Sequence, residues 1–322
     1  MTLYAKEIIE EAKQYIQYKK DPETKVATLT INRPEALNAV SAGMRLLYAD
    51  ILSCADVDDE VKVLVLRSEG EHYGTGADLA EQFKGYSEGP NGSPLHEFGI
   101  DDHSVKYPPN DSFRYIYGLT DLYGKARSGC RSLQEFKKIS ILEVKGYCYG
   151  WHFYQAGDAD MVITSEEALF GHPAFRYVGW GPRLWTWAET IGLRRFTEML
   201  FTGRPFTAQE MKECGFVNSV VARDQLEAET AKYASACAMT RPTDTVAVQK
   251  TFLELYKQYR GEHMGSQLTA MVEAMWPYMR HEPQDLQFTA ELMESGVNNA
   301  VKDMEKGYPP EWRMSYGGRK QV

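Results

Sequence analysis

Apolar positions along this chain alternate between two periods, and the alternation predicts most of its architecture. Val26-Ala-Thr-Leu-Thr-Ile is β-branched and alternating, the signature of a strand. It runs into Asn32-Arg-Pro, where Pro34 forces the backbone out of regular structure. Ser41 then reads as the N-cap of a helix through Ala55, with Met44, Leu47, Ile51 and Leu52 on one face. Val61 to Leu66 and Ile139 to Val144 are continuous apolar runs of the buried-strand kind. The second stops at Gly146; Gly150 opens a helix-like segment that ends near Asp160 and hands over to Met161–Thr164, another β-prone run. Strand, helix and strand therefore repeat up to about residue 165, at the spacing of right-handed crossovers. Ahead of this, Tyr4, Ile8, Ala12 and Ile16 have helical spacing, although Tyr15 to Tyr18 also reads as the start of a strand.

Between Phe83 and Gly129 the pattern dissolves into Gly, Pro, Ser, Asn and Tyr. A stretch this long inside a compact domain is expected to be a lid or binding loop, and its tyrosines and phenylalanines favour an ordered cover over disorder. Beyond residue 183 the chain reads helical: Trp185–Ile191, Arg194–Phe201, Ala208–Cys214, Gln225–Thr240, Thr243–Tyr259 and Gly265–Tyr278. This tail completes its own core or packs on a neighbouring subunit. The organisation expected is an N-terminal helical extension (1–20), a core (21–200) with an insertion at 84–129, and a C-terminal helical region (201–322).

Composition narrows the function classes. A net charge of −9 argues against general affinity for nucleic acid or anionic membranes. Five cysteines form no Cys-x-x-Cys pair, which suits free thiols in a reducing, cytoplasmic compartment. The acidic start Met-Thr-Leu-Tyr-Ala-Lys-Glu has no apolar signal segment, and no 18-residue apolar run is present. No His/Cys/carboxylate set has metal-site spacing, and Gly74-x-Gly76 lacks the rest of a dinucleotide-binding fingerprint.

Five ordered motifs resemble the crotonase (enoyl-CoA hydratase/isomerase) superfamily over about residues 20 to 260. Asn32-Arg-Pro with Asn38-Ala39 is similar to its CoA-binding loop, and Tyr73-Gly-Thr-Gly-Ala-Asp-Leu to its first oxyanion loop. Val144-Lys-Gly-Tyr-Cys-Tyr-Gly-Trp-His resembles the second oxyanion loop, and Phe170-Gly-His-Pro the Phe-Gly-Gln-Pro turn. Phe201-Thr-Gly-Arg-Pro with Gly215-Phe-Val-Asn resembles the late helix–turn segment. The resemblance implies an α/β fold, a ββα superhelix of βαβ-type units with a C-terminal helical trimerisation region, assembled as a homotrimer or dimer of trimers. It implies an acyl-CoA thioester as substrate, with coenzyme A as part of that substrate and no other cofactor. The thioester oxygen is expected between the backbone N–H groups of Ala77 and Trp151, which hold it as charge develops. Arg33, Ala36, Leu37, Thr75, Gly76, Asp78, Leu79 and Gly150 are the implied substrate- and CoA-binding positions.

The departures from the family pattern bear on the chemistry. The positions that align with the two glutamates of ordinary hydratases are Tyr154 and Ala174. Glu143, Glu166 and Glu167 are nearby in sequence but do not reach those positions without distorting the fold. Tyr154 is a candidate proton donor or hydrogen-bond partner for a second carbonyl, against the alternative of a packed aromatic. His172 is a candidate base, against a histidine that satisfies its own turn; His152 is adjacent to an oxyanion donor but points elsewhere on the helix. Asp78 more often caps the next helix than touches substrate, and Trp151 places an indole where the family has no side chain. Trp180, Trp185 and Trp187 fit either an acyl-pocket wall or a subunit interface, and His96, His103, Arg114 and Tyr115 fit a cover over the acyl group. The expected activity is hydratase- or lyase-like chemistry on a bulky or cyclic acyl-CoA. Ring-opening hydrolysis of a β-oxoacyl-CoA and a non-catalytic CoA-ester-binding homologue are the alternatives.

Overall fold

A computed structural model of the chain describes residues 6–81, 108–109, 112–275, 280, 282 and 297–320. Six strands form the main sheet, in the order β1 (Ile16–Asp21), β2 (Val26–Ile31), β3 (Val63–Ser68), β4 (Ile139–Val144), β6 (Met161–Ser165) and β9 (Ser219–Val221). β1 and β2 form an antiparallel hairpin across the Asp21–Thr24 turn, so the helical spacing before Ile16 ends as the helix Lys6–Ala12. Every other neighbour in this sheet is parallel. β4 is buried along its whole length, which is why its sequence is mostly apolar, broken only by Ser140 and Glu143.

A second, smaller sheet stacks β5 (Tyr147–Tyr149), β7 (Leu169–Gly171) and β8 (Phe206–Thr207). The chain leaves β4, turns at Gly146, enters β5 and then the helix Trp151–Asp158; β6 leads in the same way into β7. Isolated bridges Val40–Ala77 and Gly74–Cys148 extend this second layer to the preceding turns of the spiral. Each turn thus contributes a main-sheet strand, a second-layer strand or bridge, and a helix, the ββα superhelix expected from the motifs. The helix Ala42–Val57 is capped as expected, the Met44 N–H donating to Ser41 Oγ at 3.2 Å.

Two expectations need correction. The stretch 83–129 is not loop throughout: Phe113–Gly124 is a helix with Ser112 as its N-cap, and it packs on the helix Glu262–Met275. His96 and His103 lie outside the described residues. The chain beyond residue 183 is not purely helical, because β8 and β9 return to the two sheets. Both are two or three residues long, too short for a period-two signal to register. Further on, the segment around Tyr308–Tyr316 braces the small sheet. Tyr149 donates from its hydroxyl to the Met314 carbonyl at 2.7 Å, and Tyr147 stacks on the rings of both His72 and Tyr316, which also meet each other. No helix among the described residues is long and apolar enough to cross a membrane.

Candidate active site

The site lies where two glycine turns of the second layer meet. Tyr149 N–H donates to the Gly74 carbonyl at 2.9 Å and Gly74 N–H to the Tyr147 carbonyl at 2.8 Å, which aligns the loop Thr75-Gly-Ala with Gly150-Trp. Gly76 and Gly150 both have positive φ, +106° and +56°. Their backbones touch so closely that a β-carbon on Gly76 would stand 3.2 Å from Gly150 Cα and 3.4 Å from Trp151 N. Only glycine fits either turn. The helix Trp151–Asp158 starts at that contact, with Gly150 as its N-cap. Among the described residues neither the Ala77 nor the Trp151 amide donates a hydrogen bond to the protein.

A narrow cavity of about 130 Å³ opens in front of this junction. Ala77, Trp151, Tyr154 and His172 line it, together with Thr75, Gly76, Leu79 and Gly150. Arg33, Ala36, Leu37 and Asp78 do not. Leu37 is exposed beside the loop, its carbonyl accepting from Thr75 N–H at 3.2 Å, so the 33–37 turn borders the mouth rather than the cavity. Asp78 is occupied elsewhere. It pairs with Arg33 at 2.7 Å and accepts from the Ala80 and Glu81 amides, which fits the capping role weighed against substrate contact.

The aromatic side chains also resolve. The Trp151 indole is turned into the core, with Nε1 donating to the Gly129 carbonyl at 2.8 Å and its ring edge-on to Tyr48. It is a fixed wall, not a free stacking platform. Trp187 is core, donating to the Phe153 carbonyl, whereas Trp180 donates to the Thr269 carbonyl and Trp185 packs on Gly265. Trp180 and Trp185 thus dock the helix Glu262–Met275 onto the core. His152 lies beneath the first loop, its Nδ1 accepting the Gly76 N–H at 3.2 Å, and does not line the cavity.

Burial sets the protonation states. Tyr154 is pushed well above the ordinary phenol range, so it is a donor and never an ionised base at neutral pH. His172 is boxed by Tyr154, Phe175 and Trp187, and desolvation lowers it to about 3 against a weak opposing pull from the Trp180 carbonyl. A neutral imidazole of such low basicity is a poor resting base, which corrects the reason for selecting it. Glu143 is buried on β4 beside Arg67 and Thr230, away from the cavity. Among the described residues one carboxyl does line the cavity: Glu273, from the helix Glu262–Met275, raised to about 7 by burial. Sequence reasoning missed it, as it missed Tyr123 and Tyr177 on the same lining. The signal available was the stripe of small residues Gly265, Ser266, Thr269, Ala270 and Ala274, which puts Glu273 on the face turned inward.

These shifts make acid sensitivity testable. Above pH 6.5 His152 and His172 are neutral in the folded and unfolded chain alike. Below it the unfolded chain takes up protons that the folded imidazoles refuse until about pH 3, so each removes up to about 1.4 kcal/mol of stability per pH unit as pH falls. Glu273 acts in the opposite sense between about 7 and its ordinary value of 4.5. The comparison of variant with parent therefore isolates the histidine. His172→Phe is expected to lose less stability than the parent between pH 6.5 and 5 in urea unfolding, and equal losses would contradict the neutral buried imidazole.

A family model described as enoyl-CoA hydratase/isomerase matches residues 120–277. The mevalonyl-coenzyme A hydratase of Aspergillus fumigatus is 27% identical over 300 residues, covering 91% of this chain and 93% of that one. The hydroxycinnamoyl-CoA hydratase-lyase of Pseudomonas fluorescens is 28% identical over 221 residues, covering 67% and 70%. A crystal structure of an enoyl-CoA hydratase from Mycobacterium smegmatis superposes with a TM-score of 0.72 at 23% identity, over 94% of this chain and 97% of that one, and shows the shared fold. Motifs, spiral architecture and relatives agree: the chain belongs to the enoyl-CoA hydratase/isomerase (crotonase) superfamily.

Proposed function

We propose that this chain transforms an acyl-CoA thioester through an enolate held by the Ala77 and Trp151 amides, in hydratase- or lyase-like chemistry on a bulky or cyclic acyl group. The observation behind this reading is the Gly76–Gly150 contact, which brings two unpartnered amides to one wall of one cavity. Preorganised donors at a developing oxyanion are worth about 3–4 kcal/mol each, and the positive end of the Trp151–Asp158 helix acts in the same direction. Arg33, Ala36 and Leu37 at the mouth suit the CoA moiety, which enters as part of the substrate with no further cofactor. The five free cysteines fit a reducing, cytoplasmic setting.

Tyr154 is assigned as the hydrogen-bond donor to the reacting acyl chain. Its phenol stays protonated, and it lines the cavity beside Trp151 and His172. The test is a panel of aliphatic and aromatic enoyl-CoA esters and cyclic β-oxoacyl-CoA esters, followed by loss of enoyl absorbance and, for the β-oxo esters, by mass spectrometry of the CoA product. Loss of absorbance is expected, with Tyr154→Phe lowering turnover by about 10²-fold. Uptake of one water by the cyclic β-oxo esters alone, with the thioester intact, moves the assignment to ring-opening hydrolysis, and binding without turnover of any ester rejects catalysis.

A homotrimer or dimer of trimers fits the exposed row Val248, Phe252, Leu255 and Tyr259 on the helix Thr243–Tyr259. Light scattering is expected to give a multiple of the 36.6 kDa chain that Phe252→Glu reduces. A monomeric parent would remove the assembly from this reading.

A further inference from the structure

We propose that Glu273, delivered by the C-terminal helix Glu262–Met275, is the single proton-transferring carboxyl of this site. The inference rests on the thioester-enolate reading and names the group that moves the proton. Among the described residues Glu273 is the one acidic residue on the cavity lining, and it shares that lining with Ala77, Trp151 and Tyr154. Its Oε2 is fully buried and has no hydrogen-bond partner among the described residues. A buried, unsatisfied carboxyl costs stability unless something else engages it, and here the cavity itself is what it faces.

The other titratable groups on this space do not compete. Tyr154, Tyr177 and Cys130 are raised by burial, His172 is lowered to about 3, Tyr123 is a phenol and Arg45 is a fixed cation. Burial alone brings Glu273 to about 7, where a carboxyl exchanges protons in both directions with little driving force lost. Placement on the late helix also explains how the site works with tyrosine and alanine at positions 154 and 174.

For hydration the step balances with one carboxyl. The Glu273 carboxylate takes a proton from water, and the water oxygen bonds to the β-carbon. The C=C π pair moves toward Cα and the thioester oxygen, where the two amides hold it. Glu273 then returns its proton to Cα as the carbonyl re-forms. No oxidant, reductant or second base enters. Run on a saturated ester, the same carboxylate removes an α-proton and returns another from solvent.

That partial reaction is the test. The full chain is incubated with 3-phenylpropanoyl-CoA in D2O between pH 5 and 9, and α-deuteration is followed by mass spectrometry. Exchange with an inflection near pH 7 is expected, with Glu273→Gln at least about 100-fold slower and Glu273→Asp intermediate with a displaced inflection. Because glutamine removes an unpaired ionisable group, its melting temperature is expected to equal or exceed that of the parent, which separates lost chemistry from lost folding. Parental exchange in Glu273→Gln overturns the role of Glu273 and leaves the amide pair standing. No exchange in the parent overturns both, and a Glu273→Gln chain that melts far below the parent makes Glu273 structural.

Discussion

Gly150→Ala is expected to lower turnover of any accepted acyl-CoA ester by at least about 100-fold while leaving a folded chain. Gly150 has φ +56° and ψ −123°, a conformation that costs an alanine about 1–3 kcal/mol. Its new methyl carbon would stand 3.0 Å from Gly76 Cα, against backbone that has no flexible end to move aside. The two loops must separate, and the Ala77 and Trp151 amides separate with them. A displacement of about 1 Å is enough to lose about 10²-fold in a site that depends on alignment. Ester binding is expected to weaken far less, because the 33–37 turn proposed above for the CoA moiety is not among the contacts of the new methyl. Steady-state kinetics, titration calorimetry with the same ester and far-UV circular dichroism check the three parts together. Unchanged turnover in a folded Gly150→Ala protein would remove the amide pair from the mechanism.

Asp158→Ala is expected to cost about 3–5 kcal/mol of stability. Asp158 ends the helix that Trp151 begins, and its carboxylate receives the Arg183 guanidinium with both side chains essentially without solvent. Arg183 also donates to Thr186 Oγ1 at 2.8 Å and Ser266 Oγ at 3.2 Å, and approaches Glu262 at 3.9 Å. Removing the carboxylate strands most of that positive charge in a medium that cannot solvate it. Replacing both partners, Asp158→Ala with Arg183→Met, is expected to recover a large part of the loss, because no ion is then left buried. Urea unfolding measures both variants; a single mutant as stable as the parent would show that water reaches the pair. The prediction bears on function because the network joins the site helix to the helix that holds Glu273.

Legibility in the sequence followed how locally each feature is determined. β2, the capped helix after Ser41, β4 and the helix beginning at Trp151 were readable because period, cap and glycine sit within a few residues of one another. The loop pair around Ala77 and Trp151 was readable for the same reason: strand, glycine and helix start are contiguous. The ion pair of Asp78 with Arg33 spans 45 residues, so no local pattern reports it. His172 was chosen for its ordinary basicity, which the aromatic box of Tyr154, Phe175 and Trp187 removes, and such a box exists only after folding. The small-residue stripe shows that Glu273 faces inward but not what it meets, because it reaches the cavity from a helix about 120 residues later in the chain than Trp151.

That separation has a consequence for how such a protein can change. The helix Glu262–Met275 joins neither sheet; it is held by side chains, through Trp180 to the Thr269 carbonyl, Gln267 to the Gly124 carbonyl and Arg183 to Ser266. On the mechanism proposed above, charge stabilisation would belong to the spiral and proton transfer to a separately attached helix, so substitutions on that late helix would alter the proton step without touching the glycine turns.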